Sequence, residues 1–313
     1  DFSHNDMERL LPYIGVFSGM TELRLSHNAL EELPVQFGKL TALTYLDLQN
    51  NKLGFLHRSF GDLTNLTYLG LGSNEIADLP PDFFNLTGLT ELNLYDNKLV
   101  DMPGSLTAFK EVRTLYLSRN NFRAFPEVVG NLRGLETLSV GGGVARNVPH
   151  LLTNLKKLKE LWVSEQLTFA ENDAMPLWMS RLVALKTIMI EDDPRRSPPE
   201  VVAQRGVKSM LSFIARVNSS RASGELDLSA LGLRECPYAP YERRVTVLNL
   251  SRNKIESINE NVASLLLLEE MVISDNRITE IPFTMERLLR LRRLVISRNR
   301  ITRITNTFGP GMK

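Results

Sequence analysis

The chain has 313 residues, 43% of them apolar and 23% charged, which supplies a sizeable core and excludes wholesale disorder. A net charge of +1 gives no global reason to expect nucleic acid or an anionic membrane as partner. The charge is uneven: residues 1 to 100 hold 13 Asp and Glu against 6 Lys and Arg, whereas residues 277 to 313 hold 9 Lys and Arg against Glu280 and Glu286.

A repeat begins at once. Asn5, Asn28, Asn51, Asn74, Asn97 and Asn120 are each 23 residues apart. From Asn28 onward, apolar residues stand eight, five and three positions before each asparagine, as Leu43, Leu46 and Leu48 do before Asn51. The register continues two and five positions after it (Leu30 and Leu33; Ile76 and Leu79), commonly with a proline next (Pro34, Pro80, Pro103, Pro126). Apolar residues return at nine and twelve, as Phe37 with Leu40 and Phe83 with Leu86.

The unit L-x-x-L-x-L-x-x-N-x-L-x-x-L-P predicts one coil of an α/β solenoid. The expected fold is a leucine-rich-repeat horseshoe, with a parallel β-sheet on the concave face and short helical or 3-10 segments on the convex face. The L-x-L pair supplies a short strand, its leucines pointing inward and the alternating residues outward. The asparagine turns in, where its amide can satisfy backbone groups otherwise buried without partners. One coil cannot bury its apolar face alone, so neighbours must stack.

The pattern then decays, with Gly143, Gln166 and Asp193 in successive asparagine slots. This stretch is either drift or a surface reshaped for binding. Residues 194–222 leave the repeat: the Pro198-Pro199-Glu-Val-Val segment leads into helically spaced Val207, Met210, Leu211, Ile214 and Val217. We expect a helix over about 199–217 that seals the open edge of the first array, with Ser219 to Gly224 as a flexible joint. Repeats resume at Leu226 and Leu228, with Leu231 in the asparagine slot, and regular spacing returns at Asn253, Asn276 and Asn299. Phe308 closes the final coil. The expected organisation is a first block at 1–193, a helix and linker at 194–222, and a second block at 223–313. The chain starts within a repeat and no polar cap follows Phe308, so a piece of a longer chain, or a partner over that edge, is expected.

The single cysteine, Cys236, allows no intrachain disulfide, and the expected location is cytoplasmic. The sequons at Asn65 and Asn85 fall in recurring repeat positions, and a third lies at Asn218. No signal peptide is visible, and the apolar run near Leu265 to Leu268 is too short to span a bilayer, so no membrane insertion is expected.

The coils Asn28-Ala-Leu-Glu-Glu-Leu-Pro and Asn74-Glu-Ile-Ala-Asp-Leu-Pro resemble those of intracellular repeat proteins of the Ras-group type, including Erbin-like and Scribble-like scaffolds and plant Ras-group-related proteins. The Pro-Pro-Glu-Val-Val segment, the helix after Gly206 and the fresh start at Leu226 to Ser229 are similar to the two-block layout of leucine-rich-repeat-containing protein forty. That resemblance implies adaptor work, with a small GTPase, a phosphatase or another scaffold protein bound on the concave surface.

No P-loop, H-E-x-x-H, nucleophile elbow or paired-cysteine metal site occurs, so we expect neither an enzyme nor a cofactor or small-molecule substrate. Gly141-Gly142-Gly143 lacks the lysine of a phosphate loop. His4 and His27 fall on adjacent coils but lack a third metal ligand in register. The better candidate is the concave face, where Tyr45, Tyr68, Tyr95, Tyr116 and Trp162 point outward. Glu91, Asp96, Glu160, Glu165, Glu191 and Asp192 accompany them, and Ser139, Gly141 and Gly142 form a strip nearly free of side chains. The expected partner is another protein, basic or amphipathic, and the composition argues against nucleic acid. The arginines at 287, 290, 292, 293, 298, 300 and 303 are either a solvated surface or a contact for an acidic partner. The alternative functions are the recognition or autoregulatory arm of a larger signalling enzyme, such as a Roco-type GTPase or ubiquitin ligase, and a structural component of a cytoskeletal assembly.

Overall fold

The structure is a computed structural model that describes residues 1–141, 150–163, 177–190, 199–237 and 244–304. The chain divides into two compact units, Asp1–Ala170 with Arg181–Asp193 and Glu171–Ser180 with Pro194–Lys313.

In the first unit one parallel sheet runs in strict chain order through β1 (Glu22–Arg24), β2 (Tyr45–Asp47), β3 (Tyr68–Gly70), β4 (Glu91–Asn93), β5 (Thr114–Tyr116), β6 (Thr137–Val140), β7 (Glu160–Val163) and β8 (Thr187–Ile190). Register follows the 23-residue period from Leu23 through Leu46, Leu69, Leu92, Leu115 and Leu138 to Leu161, each opposite the next, and Ile188 pairs with Leu161 after a coil of 27 residues. The strands are shorter than the L-x-L pair suggested. In β1 to β5 only the first of the two leucines lies within the strand, and the second lies just beyond it, yet both are buried. β6 to β8 gain a fourth residue, and these are the coils whose asparagine has been replaced.

The other side of each coil is a five-residue 3-10 helix, such as Val35–Lys39 or Pro81–Asn85. The recurring proline explains where it starts. Pro34, Pro80 and Pro103 occupy the N-cap at φ near −65° and ψ near 150°, values the pyrrolidine ring favours, and their missing N–H is no loss there. The phenylalanines at plus nine stack along this side: Phe37 and Phe60 lie 6.2 Å apart between ring centroids, Phe60 and Phe83 6.1 Å. Between coils the fit is tight, since a Cβ on Gly61 would stand 2.1 Å from the carbonyl oxygen of Asp82.

The asparagine ladder is built as expected. Asn74 Nδ2 donates to Leu48 O and Leu71 O, both at 3.0 Å, while its Oδ1 accepts from Leu53 N–H at 3.0 Å. One amide thereby joins two adjacent coils, bonding both limbs of the preceding one. The residue before the asparagine is left-handed in every regular coil, from His4 and His27 through Asn50, Ser73, Asp96 and Arg119, with φ between +53° and +57°. The inward turn of the asparagine requires this conformation, and polar residues tolerate it. A further ladder runs at the start of the strands, where Thr44 Oγ1, Thr67 Oγ1 and Thr90 Oγ1 each donate to the carbonyl of the threonine one coil back.

In the second unit the expected helix appears with different limits. A single turn, α1 (Glu200–Ala203), ends before Gly206, whose φ of +88° suits glycine and breaks the helix. The main helix α2 runs Val207–Ser223 and ends on Gly224 at φ +74°, a left-handed C-cap. The segment 219–223 expected as a joint is therefore its last turn, with Ser220 buried and its hydroxyl donating to Val217 O at 2.7 Å. Local hydrogen bonding by serine stands in for the missing apolar residues. We also expected α2 to seal the first array; within its own unit it packs against β9 (Glu225–Asp227). Arg216 Nη1 secures it there, donating to Asp227 O at 3.2 Å and Ser229 O at 3.0 Å.

β9 pairs with β10 (Val247–Asn249), β10 with β11 (Glu270–Val272), and β11 with β13 (Arg293–Val295), all parallel. A short pair, β12 (Glu280–Ile281) with β14 (Arg303–Ile304), follows the same coils on their outer side, and a turn of helix, α3 (Glu260–Ala263), replaces one 3-10 segment. Leu231 leaves the asparagine slot apolar, yet Ala230 before it keeps φ +59°. Gly143, Gln166, Asp193 and Phe308 lie outside the described residues.

Candidate functional site

The outward positions of the first sheet form columns, fixed by the register. One reads Glu22, Tyr45, Tyr68, Glu91, Thr114, Thr137, Glu160 and Thr187. The next reads Arg24, Asp47, Gly70, Asn93, Tyr116, Ser139, Trp162 and Met189. Tyr95 lies two residues past the end of β4, in a third column.

The expected face falls into two clusters. At its start, Tyr45 and Tyr68 stack at 4.2 Å, and the Arg24 guanidinium covers Tyr45 at 4.9 Å while bonding Glu22 at 2.6 Å. The cation comes from the neighbouring column and was not singled out in the sequence. Further along, Tyr116 feels the charges of Glu91 and Glu160, which stand in the neighbouring column one and two strands away, and Trp162 is 42% exposed beside Met189 at 51%. Met189 was equally legible from its place in the column.

Between the clusters lies a polar bridge that the sequence reading did not foresee. Gly70 and Gly72 leave room for their neighbours: a Cβ on Gly70 would meet Asp47 Oδ1 and Gln49 Nε2 at 2.9 Å. Gln49 Nε2 donates to Asp47 Oδ1 at 3.1 Å and to the Tyr68 hydroxyl at 3.2 Å, while Asn93 Nδ2 donates to Gln49 Oε1 at 2.7 Å. These side chains are locked, so the face is preorganised.

Ser139 differs from its expected place. It is buried at 6%, and its hydroxyl shares a 2.6 Å hydrogen bond with that of Ser118, so it offers a partner no side chain. Gly141 is buried too, whereas Gly142, Glu165, Glu191 and Asp192 lie outside the described residues. Tyr95 is covered by Arg119 at 5.5 Å, which partly offsets the acidic character contributed by Asp96.

Electrostatics tie the second cluster together. Burial raises the Glu91 carboxyl above its ordinary range. The Tyr116 phenol is also raised, first by burial and then by the negative charges of Glu91 and Glu160. A cation brought to this spot would relieve both costs. His4 and His27 do stack, at 4.2 Å and 10°, but no metal-competent group of three occurs among the described residues. Of the expected arginine surface in the second unit, Arg293 bonds Glu270 at 2.7 Å and Arg298 approaches Asp275 at 3.4 Å. No helix among the described residues is long and apolar enough to cross a membrane.

The sequence pattern of the family described as Leucine rich repeat matches residues 18–76 and 64–122. Among solved structures, a leucine-rich-repeat protein of Leptospira interrogans superposes with a TM-score of 0.57 at 23% identity, covering 97% of this chain and 85% of its own. An internalin, InlF, of Listeria monocytogenes gives 0.55 at 19% identity, covering 97% of this chain and 74% of its own. The plant peptide hormone receptor RGFR1, solved in complex with RGF2, gives 0.52 at 20% identity, covering 93% of this chain and 46% of its own. Comparison with curated protein sequences finds no significant match. These likenesses establish the fold, a solenoid of leucine-rich repeats with short 3-10 segments opposite a parallel sheet.

Proposed function

We propose that this leucine-rich-repeat protein is a non-catalytic adaptor that binds a basic or amphipathic segment of a partner protein on the sheet face of its first unit. Leucine-rich-repeat domains are in general protein-interaction modules, and one structural neighbour is a peptide hormone receptor captured with its ligand. The observation that carries the reading is Tyr116 within electrostatic reach of Glu91 and Glu160, with Trp162 and Met189 exposed further along its column. Aromatic anchors supply contact area at low entropic cost, and the two carboxylates supply complementarity to lysine or arginine. The Erbin-like and Scribble-like resemblance supports an intracellular role in signalling, with a small GTPase, a phosphatase or a scaffold protein as partner. A cytoplasmic location is supported by the lone Cys236, a free thiol with no second cysteine to pair with. The organisation into blocks at 1–193 and 223–313 about a helical linker is part of the same proposal.

The test uses Trp162 as reporter. In Trp178→Phe protein Trp162 is the remaining tryptophan, and titration with a peptide of alternating lysine and leucine should shift its fluorescence saturably. Glu91→Gln with Glu160→Gln should weaken that binding about tenfold. Separately, Tyr116→Ala with Trp162→Ala should release copurifying proteins from the tagged chain. A folded Tyr116→Ala/Trp162→Ala variant that retains those partners, or a fluorescence titration without response, rejects this face as the site.

A further inference from the structure

The second unit carries a charge pattern that the adaptor reading does not use. The residue after each asparagine stands on fixed backbone. Lys254, Arg277 and Arg300 donate their N–H groups to Leu233 O, Ile255 O and Ile278 O at 2.7, 2.8 and 2.9 Å. The N–H groups of Leu233, Ile255 and Ile278 in turn donate to Oδ1 of Asn253, Asn276 and Asn299, each at 3.0 Å. The three cationic side chains thus rise from a rigid ladder, one coil apart, and all are exposed.

The equivalent column of the first unit reads Asp6, Ala29, Lys52, Glu75, Lys98 and Asn121, whose charges alternate in sign and cancel, with Lys98 Nζ 2.7 Å from Glu75 Oε2. In the second unit the column reads Gly232, Lys254, Arg277 and Arg300, so all its charged members are positive, and like charges so placed repel one another. The fold has no need of this, because the asparagines and the apolar core hold the coils in both units alike. An anionic ligand at this ladder would relieve that repulsion.

Arg234 joins Lys254 and Arg277 around an open groove of about 430 Å³, where Glu256 is the one acid among the described residues that line it. Glu256 Oε1 lies 3.8 Å from Arg277 Nη1. Arg234 and Lys254 have no ion-pair partner among the described residues. Three cations against one carboxylate leave two positive charges, which matches a phosphate monoester carrying nearly two negative charges at neutral pH. Guanidinium forks suit its oxygens bidentately. The groove is of a size for one substituted side chain and its flanking backbone. The overall charge of +1 lacks the surplus that sustains nucleic-acid binding.

We propose that this groove is a phosphate-binding site that captures a phosphorylated side chain on an extended segment of a partner protein. Lys254 and Arg277 contact the phosphoryl oxygens, Arg234 forms the opposite wall, and Arg300 extends the ladder toward the next acidic residue of the segment. The site lies wholly within the second unit.

Fluorescence anisotropy on the full chain tests it with a labelled Ala-Ala-phosphoserine-Ala-Ala peptide, its unphosphorylated twin, sodium phosphate and an oligothymidylate. The phosphopeptide should bind at least about tenfold more tightly than its twin, with affinity falling as salt rises. Lys254→Gln and Arg277→Gln should each weaken it about tenfold, Glu256→Gln should tighten it, and Glu75→Gln should leave it unchanged. Chemical denaturation midpoints of the two cation variants should equal or exceed that of the parent, since repulsion is relieved, which separates lost binding from lost fold. Equal binding of the two peptides overturns the proposal, as does parental affinity in both variants. Binding of free phosphate without the phosphopeptide, or displacement of the phosphopeptide by the oligothymidylate at a tenth of its concentration, also overturns it.

Discussion

The ring of Tyr45 lies flat on that of Tyr68, with centroids 4.2 Å apart and planes within 5°, and Gln49 Nε2 donates to the Tyr68 hydroxyl from below at 3.2 Å. Burial, followed by the neighbouring Tyr45 and Asp47, raises the Tyr68 phenol well above the usual tyrosine range. The sign of the linkage follows. Below the ordinary value of about 10 both states are protonated and Tyr68 adds no pH dependence. Above it the unfolded chain ionises while the folded chain holds its proton, so stability falls as pH rises. Tyr68→Phe should remove that decline, and denaturation midpoints measured at pH 8 and pH 11 should draw closer together than in the parent. An unchanged decline would place the titration elsewhere.

Asn97 carries more than one bond. It donates to Leu71 O at 2.9 Å and to Leu94 O at 3.3 Å, accepts from Ile76 N–H at 3.0 Å, and is 6% exposed. Asn97→Ala strands those groups and should cost roughly 1 to 3 kcal/mol in urea denaturation. Asn28 makes the same kind of bonds at the half-exposed start of the array, where water can replace them. Asn28→Ala should therefore cost less than Asn97→Ala, and the reverse order would undo the burial argument.

Gly61 and Gly54 separate close packing from open surface. A Cβ on Gly61 would press on the Asp82 carbonyl at 2.1 Å, whereas nothing lies within 4 Å of one on Gly54. Gly61→Ala should destabilise by about 1 to 3 kcal/mol through displaced backbone. Gly54→Ala should stay within about 0.5 kcal/mol of the parent. Thermal melts of the two variants measure this directly.

Cys236 is 1% exposed, and burial pushes its thiol up to about 12, against a partial lowering by Asn259. The thiolate is the reactive form, so native protein should resist maleimide at pH 7 and label only as it unfolds. Labelling should quicken in Asn97→Ala only if the two units open together, and should quicken in denaturant in every case.

Much of the solenoid was legible because its forces are local and periodic. Leucines 23 residues apart have one way to bury themselves together, and the asparagine between them has one set of backbone groups to satisfy. The helix limits were less legible. Apolar spacing stops at Val217, whereas α2 continues to Gly224 because Ser220 bonds its own backbone and a left-handed glycine ends the turn. Of the sheet face, the columns could be counted from the sequence, which brought out Tyr116 and Trp162 but passed over Arg24 and Met189.

The sequence by itself determined the coil, its period, the inward leucines and the residues presented outward, because each depends on backbone geometry repeated in register. Tertiary structure alone decided how those outward residues meet. It buried Ser139 against Ser118, placed Gln49 across two glycines onto Tyr68 and Asn93, and left Arg234, Lys254 and Arg277 around one groove. Side-chain contacts across coils depend on the size and charge of neighbours one repeat away, and no pattern within a single repeat encodes them.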